Sequence, residues 1–125
     1  MIQKLLWIAL AGGLGAVARY GLAGVVQRMA GEGFPWGTAA VNVVGCLLFG
    51  VLWAAASERF ALSGEVRTIL LVGFLGAFTT FSTFVSETGQ LIADREYLLA
   101  GGNLALQNVV GIGAFFGGMA VGRML

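Results

Sequence analysis

Residues 73–84 read GFLGAFTTFSTF. The run holds two glycines, four threonine or serine hydroxyls among phenylalanines, and no charge. Its flanks, TILLV before it and VSETGQLI after it, have the look of an ordinary apolar helix. Gly76 and the Thr79–Thr80 pair are poor helix formers, because glycine loses the most backbone entropy and threonine is β-branched. The run therefore predicts a break within a membrane-crossing helix. Such a break is tolerated at membrane depth when its freed backbone is buried in protein or lines a cavity. Its carbonyls are then available to a cation. Phe78, Phe81 and Phe84 recur at three-residue spacing. They are either packing and lipid-facing rings, as most membrane phenylalanines are, or rings whose positive edges meet an anion.

The rest of the chain supports a membrane reading. It is 58% hydrophobic and only 10% charged, with mean hydropathy +0.91, whereas a soluble domain carries about 25% charged residues. Four stretches reach the roughly 20 apolar residues a spanning helix needs: residues 4–26, 36–56, 66–92 and 97–121. The polar residues collect between them, in QRMAGEGFP, SERFALSGE and ADRE. The expected fold is an all-α membrane protein, one four-helix transmembrane domain over residues 1–125 with a break in its third helix. The N-terminal MIQKLLWIALAGG imitates a secretory signal, but its apolar run is short before Ala9–Ala11 and apolar character continues beyond it. It reads as a retained first helix.

Composition also limits function. A net charge of +1 offers no basic face for nucleic acid, and the chain has no histidine. Cys46 is alone, so neither a Cys/His metal site, a Ser/His/Asp triad nor an internal disulfide can be assembled. This inventory disfavours an enzyme. Lys4, Arg59, Arg67 and Arg123 fall on one side of the spans, Arg19, Arg28 and Arg95 on the other. Four against three is almost no bias under the positive-inside rule. Either that small bias sets one orientation, or the chain inserts both ways round and can form an antiparallel dimer. Small residues at four-residue spacing (Gly12 with Ala16, Gly113 with Gly117, Gly118 with Gly122) suit close helix packing in lipid.

Polar side chains at membrane depth are functional candidates by default. Arg19 lies deep in the first helix, as a snorkelling anchor or a vestibule charge. Asn42 is in the second helix, and Thr79, Thr80, Ser82, Thr83, Ser86, Glu87 and Thr88 are in the third. Asn103 and Gln107, four apart, share one face of the fourth, which Gly111 continues. One amide alone reads as an interhelical hydrogen bond. Two on one face, with Asn42 and a hydroxyl-rich neighbour, read as a track of neutral donors suited to a small hydrated anion or a polar neutral solute. No carboxylate lies near the middle of a helix, which argues against a cation path.

GFLGAFTTFSTF, together with WGTAAVNVVG in the second helix and GGLGAVARY in the first, resembles the Fluc (also called CrcB) family of bacterial fluoride channels over essentially the whole chain. The resemblance implies a multi-pass protein of the bacterial inner membrane, an antiparallel dual-topology homodimer in the lipid bilayer with two fluoride pores. Carried over, Phe81 and Phe84 are the pore rings, Asn42 donates its amide near them, and Thr83 adds a hydroxyl. Gly76 and Thr79 give backbone carbonyls to one structural sodium ion on the dimer axis. Asn103 and Gln107 match the track of the fourth helix, Arg19 the vestibule arginine, and Glu87, with Thr80, the remaining polar positions. Where some family members have a tyrosine and serines, this chain has Asn103, Gln107 and Gly111. Two other classes compete with a passive fluoride exporter. A small multidrug-resistance-type exporter is also a four-helix dual-topology dimer, but it resembles its own kind around an acid in the first helix, and none is present here. A non-transporting membrane assembly protein would explain the glycines but not the aligned amides.

Overall fold

Apolar runs long enough to cross a bilayer become helices because every backbone polar group must find its partner within the segment. The structure, a computed structural model describing residues 1–125, is helical throughout and has no strand. Helix α1 spans Ile2–Ala30, and its 29 residues reach about 43 Å. Helix α2 spans Trp36–Arg59 and closes in a π-helical turn at Ala55–Arg59. Helix α3 covers residues 64–78, α4 covers Phe81–Ala93, and α5 covers Tyr97–Met124. Four spans, Ile2–Ala30, Trp36–Arg59, Gly64–Ala93 and Tyr97–Met124, are long and apolar enough to cross a membrane. They run past the apolar stretches in the sequence, since helical hydrogen bonding continues into the interfacial polar residues.

Between α3 and α4 two residues are extended, Thr79 (φ −88°, ψ 160°) and Thr80 (φ −148°, ψ 116°). Gly76 itself is helical, with φ −61° and ψ −33°. Thr80 serves as the N-cap of α4, its hydroxyl accepting from the Thr83 N–H at 3.2 Å. That cap offsets one of the donors a helix start leaves unpaired.

The core lies where α1, α2 and α3 meet. Val41, Leu75 and Phe78 are buried there against Ala18, Leu22, Val44 and Leu71. Leu5, Leu10, Leu14 and Val17 of α1 stay exposed, an apolar outer surface that fits lipid rather than water. Between α2 and α5 the contact is backbone on backbone. A Cβ at Gly50 would strike the Phe115 carbonyl, and one at Gly118 the Leu47 carbonyl; Gly122 faces Val51 and Ala54 in the same way. The Gly118–Gly122 pair is thus a close-packing motif. Gly113 and Gly117 have the same spacing but nothing near them. Gly12 makes only ordinary contact with the Gly73 carbonyl, and the tight approach of α1 to α3 is at Gly15, against the Phe74 backbone.

Two connections are closed by specific bonds. Gln27 Nε2 donates to the carbonyls of Gly31 (2.6 Å) and Phe34 (3.0 Å), while its Oε1 accepts from the Gly37 N–H (3.0 Å). One neutral side chain so satisfies three backbone groups of the α1–α2 turn. After α4, the Glu96 N–H donates to the Leu91 carbonyl and the Arg95 N–H to the Ile92 carbonyl. This is a Schellman ending, with Arg95 at φ 59° where glycine is the usual occupant.

Candidate functional site

The second helix brings Thr38, Asn42 and Cys46 to successive turns of one face. Opposite it stand the extended threonines and the π-helical turn Leu106–Val110 of α5. Such turns shift the helix phase and recur at functional sites. Together they form an open groove of about 610 Å³. Asn42, Thr79, Thr80, Phe81, Phe84 and Gln107 line it, and apolar residues with Gly111 continue it along α5. No Asp, Glu, Lys or Arg is part of its wall.

Asn42 is clamped onto one residue. Its Oδ1 accepts from the Thr80 N–H at 2.8 Å and its Nδ2 donates to the Thr80 carbonyl at 2.9 Å. Nδ2 also donates to Gln107 Oε1 at 2.7 Å. Gln107 Nε2 donates to Asn103 Oδ1 at 2.9 Å, and Asn103 Nδ2 to Thr88 Oγ1 at 2.9 Å. Thr88 Oγ1 in turn donates to the Phe84 carbonyl at 2.7 Å. The extended conformation of Thr80 is therefore matched by a side chain that supplies both partners its backbone would have found in a helix.

The two rings differ in exposure. Phe81 is 76% exposed on the groove side, whereas Phe84 is 7% exposed. Their centroids are 5.9 Å apart and their planes are inclined at 55°. This tilted pairing suits the ring quadrupoles, and both rings line the groove.

Not every residue singled out in the sequence meets there. Asn103 is fully buried behind Gln107. Thr83 lines a second depression of about 440 Å³, together with Arg19, Tyr20 and Gln27. Two residues along a helix are about 200° apart, so Thr83 turns away from Phe81. The Thr80 hydroxyl donates to the Thr83 hydroxyl at 2.9 Å, which links the two depressions. Glu87 stands apart from the groove and accepts from the Thr38 hydroxyl at 2.8 Å. Its other carboxylate oxygen is buried without a hydrogen-bond partner. Gly76 is not part of the groove wall, and Thr79 is.

Thr38 and Thr88 carry hydrogen bonds that the sequence reading did not assign. Thr38 precedes Asn42 by four residues, which signals one shared face. Thr88 had no such local signal, because its partner Asn103 comes from another helix. Gly45, also on the groove, makes room for the Thr79 methyl group, which a Cβ there would strike.

Comparison with known proteins bears on this arrangement. Residues 6–119 match the family described as CrcB-like protein, Camphor Resistance (CrcB). A protein of Solidesulfovibrio magneticus named fluoride-specific ion channel FluC is 52% identical over 125 residues, covering all of both chains. Its namesake in Nitrosococcus oceani is 51% identical over the same full length. The namesake in Geobacter sulfurreducens is 45% identical over 124 residues, covering 99% of this chain and all of the relative. With four apolar spans and a family match across nearly its whole length, this multi-pass membrane protein belongs to the CrcB-like family.

Proposed function

We propose that the protein is a fluoride-specific passive ion channel that lets cytoplasmic fluoride leave the cell. The observation that carries this reading is the groove itself: neutral amides, hydroxyls and phenyl rings, with no formally charged side chain, in a chain whose full-length relatives are named fluoride-specific ion channels. Fluoride is small and strongly hydrated. Neutral donors replace part of its water without holding it so firmly that it cannot leave, which is the balance conduction requires. Hydrogen fluoride crosses membranes uncharged from acid surroundings and dissociates inside. An exit for the anion then lowers its toxicity.

The working unit in this proposal is an antiparallel homodimer in the inner membrane, inserted in both orientations, with two pores along the subunit interface. An open groove and a largely exposed Phe81 favour a second copy as the missing wall. The near-equal distribution of Lys and Arg favours dual insertion. The extended Thr79–Thr80 pair is, in the same reading, the break of the third span.

A structural sodium ion at the dimer axis would draw on carbonyl oxygens. The fit is good at Thr79, whose carbonyl accepts no hydrogen bond from the chain. The Gly76 carbonyl is likewise without a partner in the chain, because the Thr80 N–H that a continuing helix would direct to it donates to Asn42 Oδ1. No cluster of three or more His, Cys, Asp or Glu offers an alternative donor set. Bound there, sodium would supply charge that holds the two extended segments together.

Reconstitution into liposomes tests the function: fluoride efflux is fast and chloride efflux negligible on ion-selective electrodes. Absence of fluoride efflux from well-folded protein overturns the reading. Exchange of sodium for a larger cation should lower flux or dimer stability, and no change in either removes the sodium from the account.

A further inference from the structure

We infer that Arg67, with Ser57 and Trp53, forms a binding site for the phosphate of an anionic phospholipid, at the end of the bundle where α2 turns into α3. None of the three lines the groove, so the inference holds whichever ion the protein passes. Arg67 is half-buried. Its guanidinium carbon lies over the Trp53 ring, 4.9 Å from the centroid, and its Nη2 donates to Ser57 Oγ at 3.4 Å. A snorkelling arginine reaches for water. This one is folded back onto a ring and a hydroxyl.

The cation has no counter-ion in the chain. The one ion pair joins Arg123 to Glu58 at 3.1 Å, which uses up the nearest acid on α2. Glu65, the other acid of this connection, stands two residues before Arg67 on α3, about 200° round the helix. Arg59 adds a second cation whose only partner is a neutral carbonyl, that of Leu125, at 3.1 Å. A guanidinium has five N–H donors in its own plane, so a ring against its face leaves the edge free for a planar fork of bonds to phosphate oxygens. The Ser57 hydroxyl accepts from Arg67 and makes no other bond, and its proton remains to donate. The wide π-helical turn Ala55–Arg59, closed by the Phe60 N–H on the Ala55 carbonyl at 2.8 Å, carries both Ser57 and Arg59.

The surroundings select a lipid over a free phosphate. The site lies at the end of the span Trp36–Arg59 and the start of the span Gly64–Ala93, the depth at which headgroups and tryptophans meet. Trp53, Phe60, Leu62 and Val66 are all partly exposed beside it, apolar surface that an acyl chain covers and a soluble anion does not. The charge selects an anionic lipid over a zwitterionic one. With Glu58 paired to Arg123 and Glu65 turned away, no carboxylate beside Arg67 receives an ammonium headgroup, and Arg59 repels one.

Trp53 is its own reporter once the other two tryptophans, Trp7 and Trp36, are replaced by phenylalanine. That protein is reconstituted in phosphatidylcholine vesicles with rising fractions of brominated-chain phosphatidylglycerol or, separately, brominated-chain phosphatidylcholine, and Trp53 fluorescence is followed. Phosphatidylglycerol should associate at Trp53 about 5-fold more strongly, the preference expected of one interfacial arginine. Arg67→Gln should abolish that preference. Arg67→Lys, which keeps the charge but loses the planar fork, should reduce it, as should Ser57→Ala. Inorganic phosphate should displace the lipid no better than sodium chloride of equal ionic strength. Equal quenching by the two lipids overturns the inference. So does a preference that survives both Arg67→Gln and Arg67→Lys, or one lost to inorganic phosphate beyond the salt effect, which would make a soluble anion the ligand. If Arg67→Gln does not fold, Arg67→Lys and Ser57→Ala decide, and an undiminished preference in both overturns the site.

Discussion

Helix α2 meets α5 in two different ways. Along its second half the contact is dry and close: Gly50 lies against the Phe115 backbone, and Gly118 and Gly122 lie against Leu47 and Val51. Along its first half the contact is a hydrogen bond between amides, Asn42 to Gln107, beside an open groove. In lipid, apolar surface gives helices no reason to associate, so close packing of small residues and interhelical hydrogen bonds must do it. The glycine half uses the first means and sets the spacing of the two helices. The amide half, held at that spacing, needs no close packing of its own and can keep a polar surface open. Rigidity at one end permits vacancy at the other.

Breaking the dry half should have the largest effect. Gly118→Leu forces a side chain into the Leu47 backbone, and overpacking of this kind costs about 3 kcal/mol. The expected outcome is loss of monodisperse protein on size exclusion in detergent. Gly45→Ala acts at the edge of the groove. Its Cβ displaces Thr79 at a cost of about 1–3 kcal/mol. Folded protein should persist while fluoride efflux from liposomes falls about tenfold, which would separate the groove from the packing seam.

The ring pair gives a finer cut. Phe81→Ile and Phe84→Ile should each reduce efflux about 3- to 10-fold, the range expected when favourable aromatic geometry is lost. Thermal stability should fall for the buried Phe84 and hardly at all for the exposed Phe81. Unchanged efflux in both would reduce the rings to packing. The smallest effect should come from outside both halves. Arg95→Gly relieves a left-handed residue at the end of α4 and should stabilise by about 1 kcal/mol, seen as a higher melting temperature with unaltered efflux.

What could be read in the sequence was whatever a helix expresses locally. Apolar length gave the four spans, and four-residue spacing put Asn103 and Gln107 on one face. The Gly118–Gly122 spacing also found its seam. Identical spacing at Gly113 and Gly117 points to open surface, because periodicity names a face but not what the face meets. Thr83 lay between two phenylalanines in sequence and yet turns toward Arg19, since helical rotation separates neighbours in sequence. The Thr38–Glu87 and Thr88–Asn103 bonds join separate helices. No local pattern encodes such partners. The π-helical turns in α2, α3 and α5 were equally silent, because the register is a choice among backbone hydrogen bonds, and their side chains range from the apolar ILLVGFL to AASER and LQNVV.

The Gln27 side chain, which closes the turn after α1 upon itself, has a consequence for the membrane. A polar corner normally must stay in water, because its unpaired backbone groups are costly to bury. This corner carries part of its solvation with it, so it can settle into the headgroup layer at small cost. Helix α1 reaches beyond the roughly 30 Å of a hydrocarbon core. A sealed corner at its end lets the bundle ride deeper or shallower, and so accommodate bilayers of unequal thickness without unravelling the first connection.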